Sequence, residues 1–401
     1  MSLPSHMRWF TCTPVEFGGG PDFFARDSGL MCRGLQSVGC DARAVMPGTR
    51  RPEDEADLIR TEFPNLESPA WWRSHELDGV VLYAWGSPRF RKVAAAIRQA
   101  GVYLVLNQDN GGLISPLAGL RGWLHEQWIL SGVRYQPVGA FTFLKRVLKG
   151  ITVGMLVTDP GRAAHLKQGD VIACVSPEAA RHYKRLCRIY GGPALARRVR
   201  VIPHPVEPLF HYDGSPRKVR QIVCVGRWPD RLQKRPELMM AVFDHLLAED
   251  SLVNVQIIGF PTPRLMAWLT GLPPGMRSRV RLRGPLDRSE LSAVLRESMV
   301  FYSPSAFESF GIAAGEALCS GCSVVSGRSP SMSSFGWFVS EASGTQADTD
   351  DVRGHAAALM TELGHWDSGG RDTVGISKTW ATALHAGNVA AKVLELPDTV
   401  P

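Results

Sequence analysis

The chain has 401 residues, of which 44% are hydrophobic and 21% charged, an ordinary composition for a soluble globular protein. This length exceeds what one hydrophobic core usually organises, so we expect two domains of similar size. No run approaches the roughly 20 apolar residues that span a bilayer, which excludes a membrane-spanning protein. The 8 cysteines are spread along the chain, which favours reduced core thiols over a disulfide framework.

The formal net charge of +7 indicates affinity for phosphate groups of nucleotides, nucleic acids or anionic lipids, without choosing among them. The basic residues are dispersed and form no recognised nucleic-acid module, so nucleic acid is not an expected partner. The amino terminus lacks the basic-then-apolar order of a signal peptide. We therefore expect a cytoplasmic protein, with peripheral contact to the inner face of a membrane as a further expectation.

From Arg8 onward, short β-branched or aromatic runs alternate with amphipathic stretches, which predicts βα units and a parallel sheet. The predicted strands of the first half are Arg8–Thr13, Asp41–Val45, Gly79–Tyr83, Tyr103–Leu106, Val171–Val175 and Val199–Ile202. The predicted helices are Asp22–Ser37, Ser87–Ala100, Phe141–Leu148 and Pro177–Ile189.

A proline-rich stretch, 203–216, predicts an interdomain linker, after which the alternation restarts. The predicted strands there are Gln221–Val225, Asn254–Ile258, Val280–Arg283, Met299–Tyr302 and Ser323–Val325. The predicted helices are Pro236–Leu247, Thr262–Leu269, Arg288–Glu297 and a short one from Gly311 to Leu318. Two Rossmann-like domains are thus expected, with ligands beyond the carboxyl ends of their strands.

The segment "TPVEFGGGPDFF" places Gly18, Gly19 and Gly20 between a strand and a helix. Glycines at such a turn let backbone amides approach a diphosphate, although a merely flexible turn is equally compatible with the pattern. In "VCVGRWPDRLQKRPELMM", Arg227 follows a strand and Lys234 precedes a helix, so both cations are candidates to hold phosphate oxygens. We expect Arg231 and Arg235 to be solvated.

The most specific segment is "SPSAFESFGIAAGEAL", in which Glu308 precedes a predicted helix and Glu316 lies more than one turn inside it. The amides near Gly311 and Ile312 would form an anion site at the start of this helix. The two carboxylates would accept hydrogen bonds from hydroxyl groups on either side of the phosphate. A capped helix with two solvated glutamates is the simpler alternative.

This segment resembles the paired-glutamate motif of retaining GT-B glycosyltransferases of the "group 1" type (glycosyltransferase family 4-like). Other segments are similar to the family in the same order. They are "GGGPDFFARDSGLMCRGLQSVGCDARAV", "VRVIPHPVEPLF", "VGRWPDRLQKRPELM", "RLRGPLDRSELSAVLRESMVFY" and "SKTWATALHAGNVAAKVLEL". The resemblance implies two Rossmann-like domains with parallel sheets facing a central cleft. It places an acceptor-side domain at 7–205, a nucleotide-sugar domain at 206–373, and a closing helix at 374–397 that crosses back to the first domain.

The resemblance also implies roles for individual residues. Glu316 would hold the ribose hydroxyls and Glu308 a hydroxyl of the donor sugar. Arg227 and Lys234 would neutralise the leaving diphosphate, so that no metal or other cofactor is expected. Further donor-binding residues would be Gly19, Gly20, Gly284, Pro285, Leu286, Gly311 and Ile312.

The sequence departs from the family in the first domain, where many members carry a histidine at the end of the strand that here reads "YLVLNQDNGG". Asp109 or Asn107 could replace it as a partner of the donor sugar, and Asp109 is our candidate catalytic residue. A simple Asn-Gly turn explains the segment equally well. We interpret His204, in "VIPHP", as a linker residue, and His125 as a packing residue.

Two other features have simpler explanations than a functional site. Cys319 and Cys322 have the spacing of zinc ligands, but a helix that stops at Gly321 before a strand accounts for them better. A tryptophan set in the first half is expected to be mainly core, with acceptor binding as the alternative: Trp71, Trp72, Trp85, Trp123 and Trp128. A set of basic residues could attract a phosphorylated or lipid-linked acceptor, or be solvated: Arg89, Arg91, Lys92, Arg134, Lys145, Arg146 and Lys149.

The resemblance therefore predicts an enzyme that moves a hexose from a UDP- or GDP-linked sugar to a carbohydrate or lipid-linked acceptor with retention of anomeric configuration. The alternative is a catalytically degenerate GT-B protein that binds nucleotide or glycan without turnover, motivated by the missing first-domain histidine.

Overall fold

The structure is a computed structural model that describes residues 7–399. These residues form two compact units. The first comprises the chain up to Leu124, Leu144–Glu207 and the residues from Ala383 on, and the second comprises His125–Phe143 and Pro208–Thr382. Each unit contains one parallel sheet flanked by helices, which confirms the predicted α/β class with two Rossmann-like domains. The boundaries predicted from the resemblance stay predictions.

The sheet of the first unit has seven parallel strands in the order β3-β2-β1-β4-β5-β6-β7. The strands are β1 (Arg8–Cys12), β2 (Asp41–Pro47), β3 (Leu58–Thr61), β4 (Gly79–Tyr83), β5 (Tyr103–Gln108), β6 (Val171–Cys174) and β7 (Val199–Val201). The strand order reverses between β1 and β4. In open parallel sheets, the loops at the carboxyl side of such a switch point diverge and leave room for a ligand.

Nine helices belong to the described part of the chain before β8. They are α1 (Pro21–Phe24), α2 (Asp27–Ser37), α3 (Phe63–Leu66), α4 (Pro69–Arg73), α5 (Arg91–Gln99), α6 (Pro116–Leu130), α7 (Gly139–Lys149), α8 (Asp159–Leu166) and α9 (Pro177–Arg197). A 3₁₀ turn, Pro88–Phe90, precedes α5, and a π-helical stretch, Gly150–Thr158, joins α7 to α8. None of the described helices has the length and apolar character needed to cross a membrane.

The sheet of the second unit has six parallel strands in the order β10-β9-β8-β11-β12-β13. They are β8 (Val219–Val225), β9 (Asn254–Ile258), β10 (Val280–Arg283), β11 (Ser298–Ser303), β12 (Ser323–Gly327) and β13 (Gly344–Ala347). The helices that follow β8 are α10 (Arg231–Lys234), α11 (Pro236–Glu249), α12 (Pro263–Gly271), α13 (Pro274–Arg277), α14 (Arg288–Glu297), α15 (Ile312–Cys319), α16 (Phe335–Phe338), α17 (Val352–Asp367), α18 (Thr373–Leu384), α19 (Ala386–Leu394) and α20 (Leu396–Thr399). The switch point lies between β8 and β11.

The predicted strands are confirmed to within a few residues, whereas β3 and β13 were not predicted. Both are four-residue strands at a sheet edge, and neither is an apolar run nor strictly alternating. The core of the first unit also recruits α19 from the far end of the chain. At that contact, a Cβ on Gly34 of α2 would lie 2.4 Å from the Ala386 carbonyl oxygen, so close packing requires glycine there.

A buried lysine connects the ends of two helices in the second unit. The ammonium group of Lys218 donates to the carbonyls of Leu295 and Arg296 at the end of α14, and to those of Ser298 and Ser320, at 2.9–3.1 Å. They lie at the ends of α14 and α15, where the amides four residues further on no longer belong to the same helix. Burial lowers the pKa of Lys218, and the carbonyl dipoles replace the water that the ammonium group loses.

We expect Lys218→Met to lower the free energy of unfolding by about 3 kcal/mol, because it removes the ammonium donor that several buried carbonyls share. Urea denaturation followed by circular dichroism measures this loss. Lys92→Met is the matched control, since the Lys92 side chain is exposed and its ammonium lies 3.9 Å from Glu67, and it should change stability by less than about 0.5 kcal/mol. Equal stabilities of the two variants would contradict the assignment.

Candidate functional site

The switch point of the second unit brings together two loops that lie far apart in sequence. Arg227 follows β8, and residues 304–308 follow β11, its neighbour in the sheet. Because parallel strands end at the same edge, both loops lie at the carboxyl edge where ligands bind in such sheets. Gln233 links the loops: its carbonyl accepts from the Ala306 amide at 2.8 Å, and its side chain donates to the Phe307 carbonyl at 3.2 Å.

Lys234 and Glu308 form an ion pair at this edge. The Ser305 hydroxyl donates to the same carboxylate oxygen, Glu308 Oε1, at 2.9 Å. The Glu308 backbone is fixed as well, because its amide donates to the Ser331 carbonyl and its carbonyl accepts from the Ser333 amide, each at 3.1 Å. The carboxylate is therefore held in place, with a cation beside it.

Arg227 has a different environment from Lys234. Its side chain is 75% exposed, and its guanidinium contacts Gln233 Oε1 at 3.2 Å and Asp230 at 3.9 Å. Such an exposed guanidinium retains donors for an anion. Arg231, which we expected to be solvated, is half exposed and pairs with Glu237 at 2.5 Å.

The expectation that Arg235 is solvated is wrong. Its guanidinium is buried and donates to the carbonyls of Pro304 and Ser305 at 2.5 and 3.2 Å and to the Asp350 carboxylate at 2.8 Å. Burial raises the pKa of Asp350, but hydrogen bonds from His355 and Arg235 outweigh that effect and hold it well below the ordinary value. Arg235 thus fixes the loop that carries Glu308, and a basic residue within a loop gave no sequence signal for this role.

The predicted helix start at Gly311 is confirmed. Gly311 has φ +80° and is the N-cap of α15, and a Cβ there would lie 2.8 Å from the Phe335 ring, so both the backbone and the packing require glycine. Gly311 offers no side chain to cap the helix, and α15 continues with Ile312 and Ala313. The amides of Ile312 and Ala313 are therefore groups that water or an anion can satisfy.

Glu316 lies one turn inside α15 and is buried. Its Oε1 accepts from Nη2 of Arg288 at 2.6 Å, and the Arg288 guanidinium also stacks on the Phe210 ring at 4.6 Å. Arg288 was not among the predicted site residues, because at the start of α14 it could not be distinguished from an ordinary residue of a capped helix. The remaining predicted residues of this edge, Gly284–Leu286, lie between β10 and α14 in an exposed to half-exposed loop.

In the first unit, the glycine loop lies between β1 and α1, as predicted. A Cβ on Gly19 would lie 2.2 Å from the Asp54 carboxylate, which forms a buried ion pair with Arg60 at 2.7 Å. A Cβ on Gly20 would lie 3.3 Å from the Glu53 carbonyl. Gly19 is thus explained by packing, and the predicted contact of Gly19 and Gly20 with the donor stays a prediction.

His204 lies in the segment between β7 and β8, as expected of a linker residue, but its burial and pairing were not predicted. Its imidazole is buried, with Nε2 at 2.5 Å from Asp109 Oδ1 and Nδ1 at 3.7 Å from Asp27 Oδ1. The other oxygen of Asp109 accepts from the Trp85 indole at 3.3 Å. Asn107 is buried inside β5, so Asp109 is the member of the pair that reaches this group.

Asp109 also lines a cavity of about 480 Å³ at the β1–β4 switch point of the first unit. The residues that line it combine aromatic rings with carboxylates, and include Phe17, Phe23, Asp27, Glu53, Tyr83 and Trp85. Aromatic faces and fixed carboxylates are typical of sites that bind polyhydroxylated ligands. Of the predicted tryptophan set, only Trp85 lies in this cavity, and Trp72 and Trp123 are buried.

Burial lowers the pKa of His204, but the charge and hydrogen bond of Asp109, with the charge of Asp27, outweigh it and raise the pKa to about 9. Burial also raises the pKa of Asp27. Among the described residues, Asp27, Asp109 and His204 are the group whose ligand atoms lie close enough to hold a metal ion, within 4.8 Å of one another. A protonated imidazole is not a ligand, so metal binding would have to remove a tightly held proton.

His125 groups with the second unit, where its Nδ1 lies 2.8 Å from the Ser331 hydroxyl, next to the Glu308 loop. The cysteine pair is explained as expected by a helix end: Gly321 has φ +73° after α15, and the Cys322 thiol donates to the Leu295 carbonyl at 3.0 Å.

Comparisons with known proteins agree with this architecture. Residues 219–361, a little over a third of the chain, match a family model described as "Glycosyl transferases group 1". A search of curated proteins found no match. Among solved structures, Alr3699/HepE of Anabaena in complex with UDP and glucose is 13% identical, with a TM-score of 0.62 over 98% of this chain and 100% of that one. The chain has a GT-B fold.

Two further GT-B neighbours cover nearly the whole chain. The lipopolysaccharide outer core galactosyltransferase WaaB is 14% identical, with a TM-score of 0.61 over 98% of this chain and 99% of that one. Sucrose-phosphate synthase of Thermosynechococcus elongatus is 14% identical, with a TM-score of 0.58 over 98% of each chain. At such identities the likeness shows the fold alone, and the family match covers the unit that carries Glu308 and Glu316.

We expect the imidazole of His204 to titrate near pH 9 instead of near its ordinary value of 6.5. Because the folded-state pKa is raised, the stabilisation is fully present below pH 6.5 and is lost as the pH rises through about 9, and it amounts to about 3 kcal/mol. The imidazole resonances of labelled protein, assigned with His204→Gln, measure the pKa. Asp109→Asn should lower it, and an unchanged titration in that variant would contradict the ion pair.

Proposed function

We propose that the protein is a glycosyltransferase that moves a hexose from a nucleoside diphosphate sugar to a carbohydrate or lipid-linked acceptor. The observation that carries the proposal is the arrangement at the second unit's switch point. There, Glu308 of the Lys234–Glu308 ion pair precedes the first residue of α15 by four residues, and Arg227 follows the neighbouring strand. The match of residues 219–361 to the group 1 glycosyltransferase model supports the same reading.

The cations and amides of this edge suit the leaving group of a sugar transfer. Breaking the bond between a sugar and a diphosphate places additional negative charge on the diphosphate, and fixed positive groups lower the barrier by stabilising that charge. Arg227 has exposed donors, the Lys234 ammonium offers a phosphate oxygen the donors that it does not give to Glu308, and the α15 amides add a dipole. With these groups the reaction needs no metal ion or other cofactor.

The two glutamates bind hydroxyl groups in this proposal. Glu308, held by Ser305, accepts from a hydroxyl of the donor sugar, and Glu316, oriented by Arg288, accepts from the ribose. Gly284, Pro285 and Leu286 border the base, which we propose to be uracil or guanine, and HepE was solved with UDP. Retention of anomeric configuration is part of the proposal through the sequence resemblance.

For the first unit we propose that Asp109 is the polar contact that replaces the family histidine. Its carboxylate is oriented by the His204 imidazolium and the Trp85 indole. The aromatic rings and carboxylates around it suit the hydroxyl groups of a sugar. The roles of Gly19 and Gly20 toward the diphosphate are predicted by the sequence resemblance.

Nucleotide release from a panel of UDP-, GDP- and ADP-sugars, measured with and without EDTA, tests the reaction. We expect turnover with one donor class that EDTA leaves unchanged, and Glu316→Gln should weaken nucleotide binding roughly tenfold or more, because it removes a charged acceptor. Thermal melting shows whether the variant is folded. Donor binding without release would favour the degenerate alternative, and no binding of any nucleotide sugar would reject the proposal.

We expect Lys234→Met and Arg227→Met each to lower kcat by about 10²–10³-fold, because each removes a charge that stabilises the departing diphosphate. Arg231→Met is the matched control: it removes a cation of the same loop that pairs with Glu237, and it should leave kcat nearly unchanged. Steady-state kinetics on all three variants checks this. Equal losses in all three would indicate a general effect of loop charge instead of a specific phosphate site.

A further inference from the structure

A segment of the first unit exposes large apolar side chains that the proposed reaction does not use. It runs from the second half of α7 through the π-helical stretch, and its exposed apolar residues, here called the 144–157 surface, are Leu144, Leu148, Ile151, Val153, Leu156 and Val157. Leu156 is 76% exposed and Val157 65%, so most of each residue is in contact with solvent. Exposed apolar residues scattered singly are ordinary, but a contiguous run of this kind marks an interaction surface.

The spacing of these residues places them on one side of the helix. Leu144 and Leu148 are four residues apart on α7, and Ile151 follows three residues later at the start of the π-helical stretch, so the three form a single row. Lys145 and Lys149, both exposed, follow Leu144 and Leu148 by one residue and therefore flank the row. The result is an amphipathic helix whose apolar row faces outward beside cationic groups.

The segment is held firmly to the first unit on its other side. The Tyr190 hydroxyl donates to the Met155 carbonyl at 2.9 Å, inside the π-helical stretch. The backbone at Gly150 packs against the Trp123 ring so closely that a Cβ would lie 2.3 Å from it. The backbone that carries the exposed apolar row is therefore fixed to the first unit by a hydrogen bond and by close packing.

The positive charge of the segment favours one kind of partner, an anionic surface. Between Glu126 and Asp159 the sequence contains no acidic residue and four basic ones: Arg134, Lys145, Arg146 and Lys149. A second copy of this chain, paired through a two-fold axis, would bring these lysines against identical lysines with no carboxylate between them. An anionic lipid surface offers both an apolar layer for the leucines and negative head groups for the lysines.

We propose that the 144–157 surface binds the interface of a membrane that contains anionic lipids, with the leucine row inserted at the level of the acyl chains. Lys145 and Lys149 contact the head groups. The interaction is peripheral and reversible, because one short apolar row and a few cations give moderate affinity. It stands apart from the proposed sugar transfer, since lipid binding needs no donor or acceptor.

Co-sedimentation of the full chain with vesicles tests this surface. Phosphatidylcholine vesicles are compared with vesicles of phosphatidylcholine and phosphatidylglycerol in equal parts. We expect binding to the anionic vesicles that weakens as salt is added. L148Q/L156Q should weaken it about tenfold or more, and K145Q/K149Q should weaken it roughly fivefold per lysine.

L252Q/F260Q is the matched control, because Leu252 and Phe260 are exposed apolar residues of the second unit, at 71% and 65%. This variant should bind anionic vesicles like the unchanged chain. Three results would each overturn the proposal. They are no binding to anionic vesicles, equal binding to neutral and anionic vesicles, and a loss of binding in the control equal to that in L148Q/L156Q. Concentration-dependent self-association that L148Q/L156Q abolishes would identify a second copy as the partner instead. Nucleotide release, measured without lipid, should be the same for all these variants.

Discussion

The buried guanidinium of Arg235 is the interaction on which the candidate site of the second unit depends. It lies between α10 and α11 with φ +43°, a strained backbone position for a residue with a side chain, and it binds two successive carbonyls of the loop after β11 together with Asp350. Since a buried charge is stable only when it is fully paired, the loop cannot move without a large loss of energy. Glu308 and Lys234, on the two connected segments, are thereby kept in contact.

Opposite charges at the site are paired with one another. Lys234 pairs with Glu308, and Arg288 with Glu316. These pairs orient the carboxylates, so the rearrangement required to accept hydroxyl groups is small. The first unit also contains a carboxylate that is oriented by neighbouring groups. His204 and Trp85 hold the carboxylate of Asp109 beside a cavity at the switch point of that unit.

Most strands and about half of the helices were predictable because their signals are local. Apolar runs such as Val223–Val225 and the spacing of Leu291, Val294 and Leu295 report burial directly, and Gly311 and Gly321 mark helix ends through their backbone conformation. The edge strands β3 and β13 and the π-helical stretch were not predicted, because edge strands are short and half buried and a π-helix has no distinct apolar period. Within the site, the Lys234–Glu308 contact was not predictable, although each residue had been singled out.

The sequence by itself determined the α/β class, the two parallel sheets, and the segment in which carboxylates and a glycine-capped helix follow a strand. Only the tertiary structure decided which polar residues are buried and paired. Arg235 reaches a carboxylate more than a hundred residues away, and His204 reaches one 95 residues before it. A polar side chain is stable inside a protein only where distant segments supply its partners, and that arrangement depends on how the strands are ordered in the sheet.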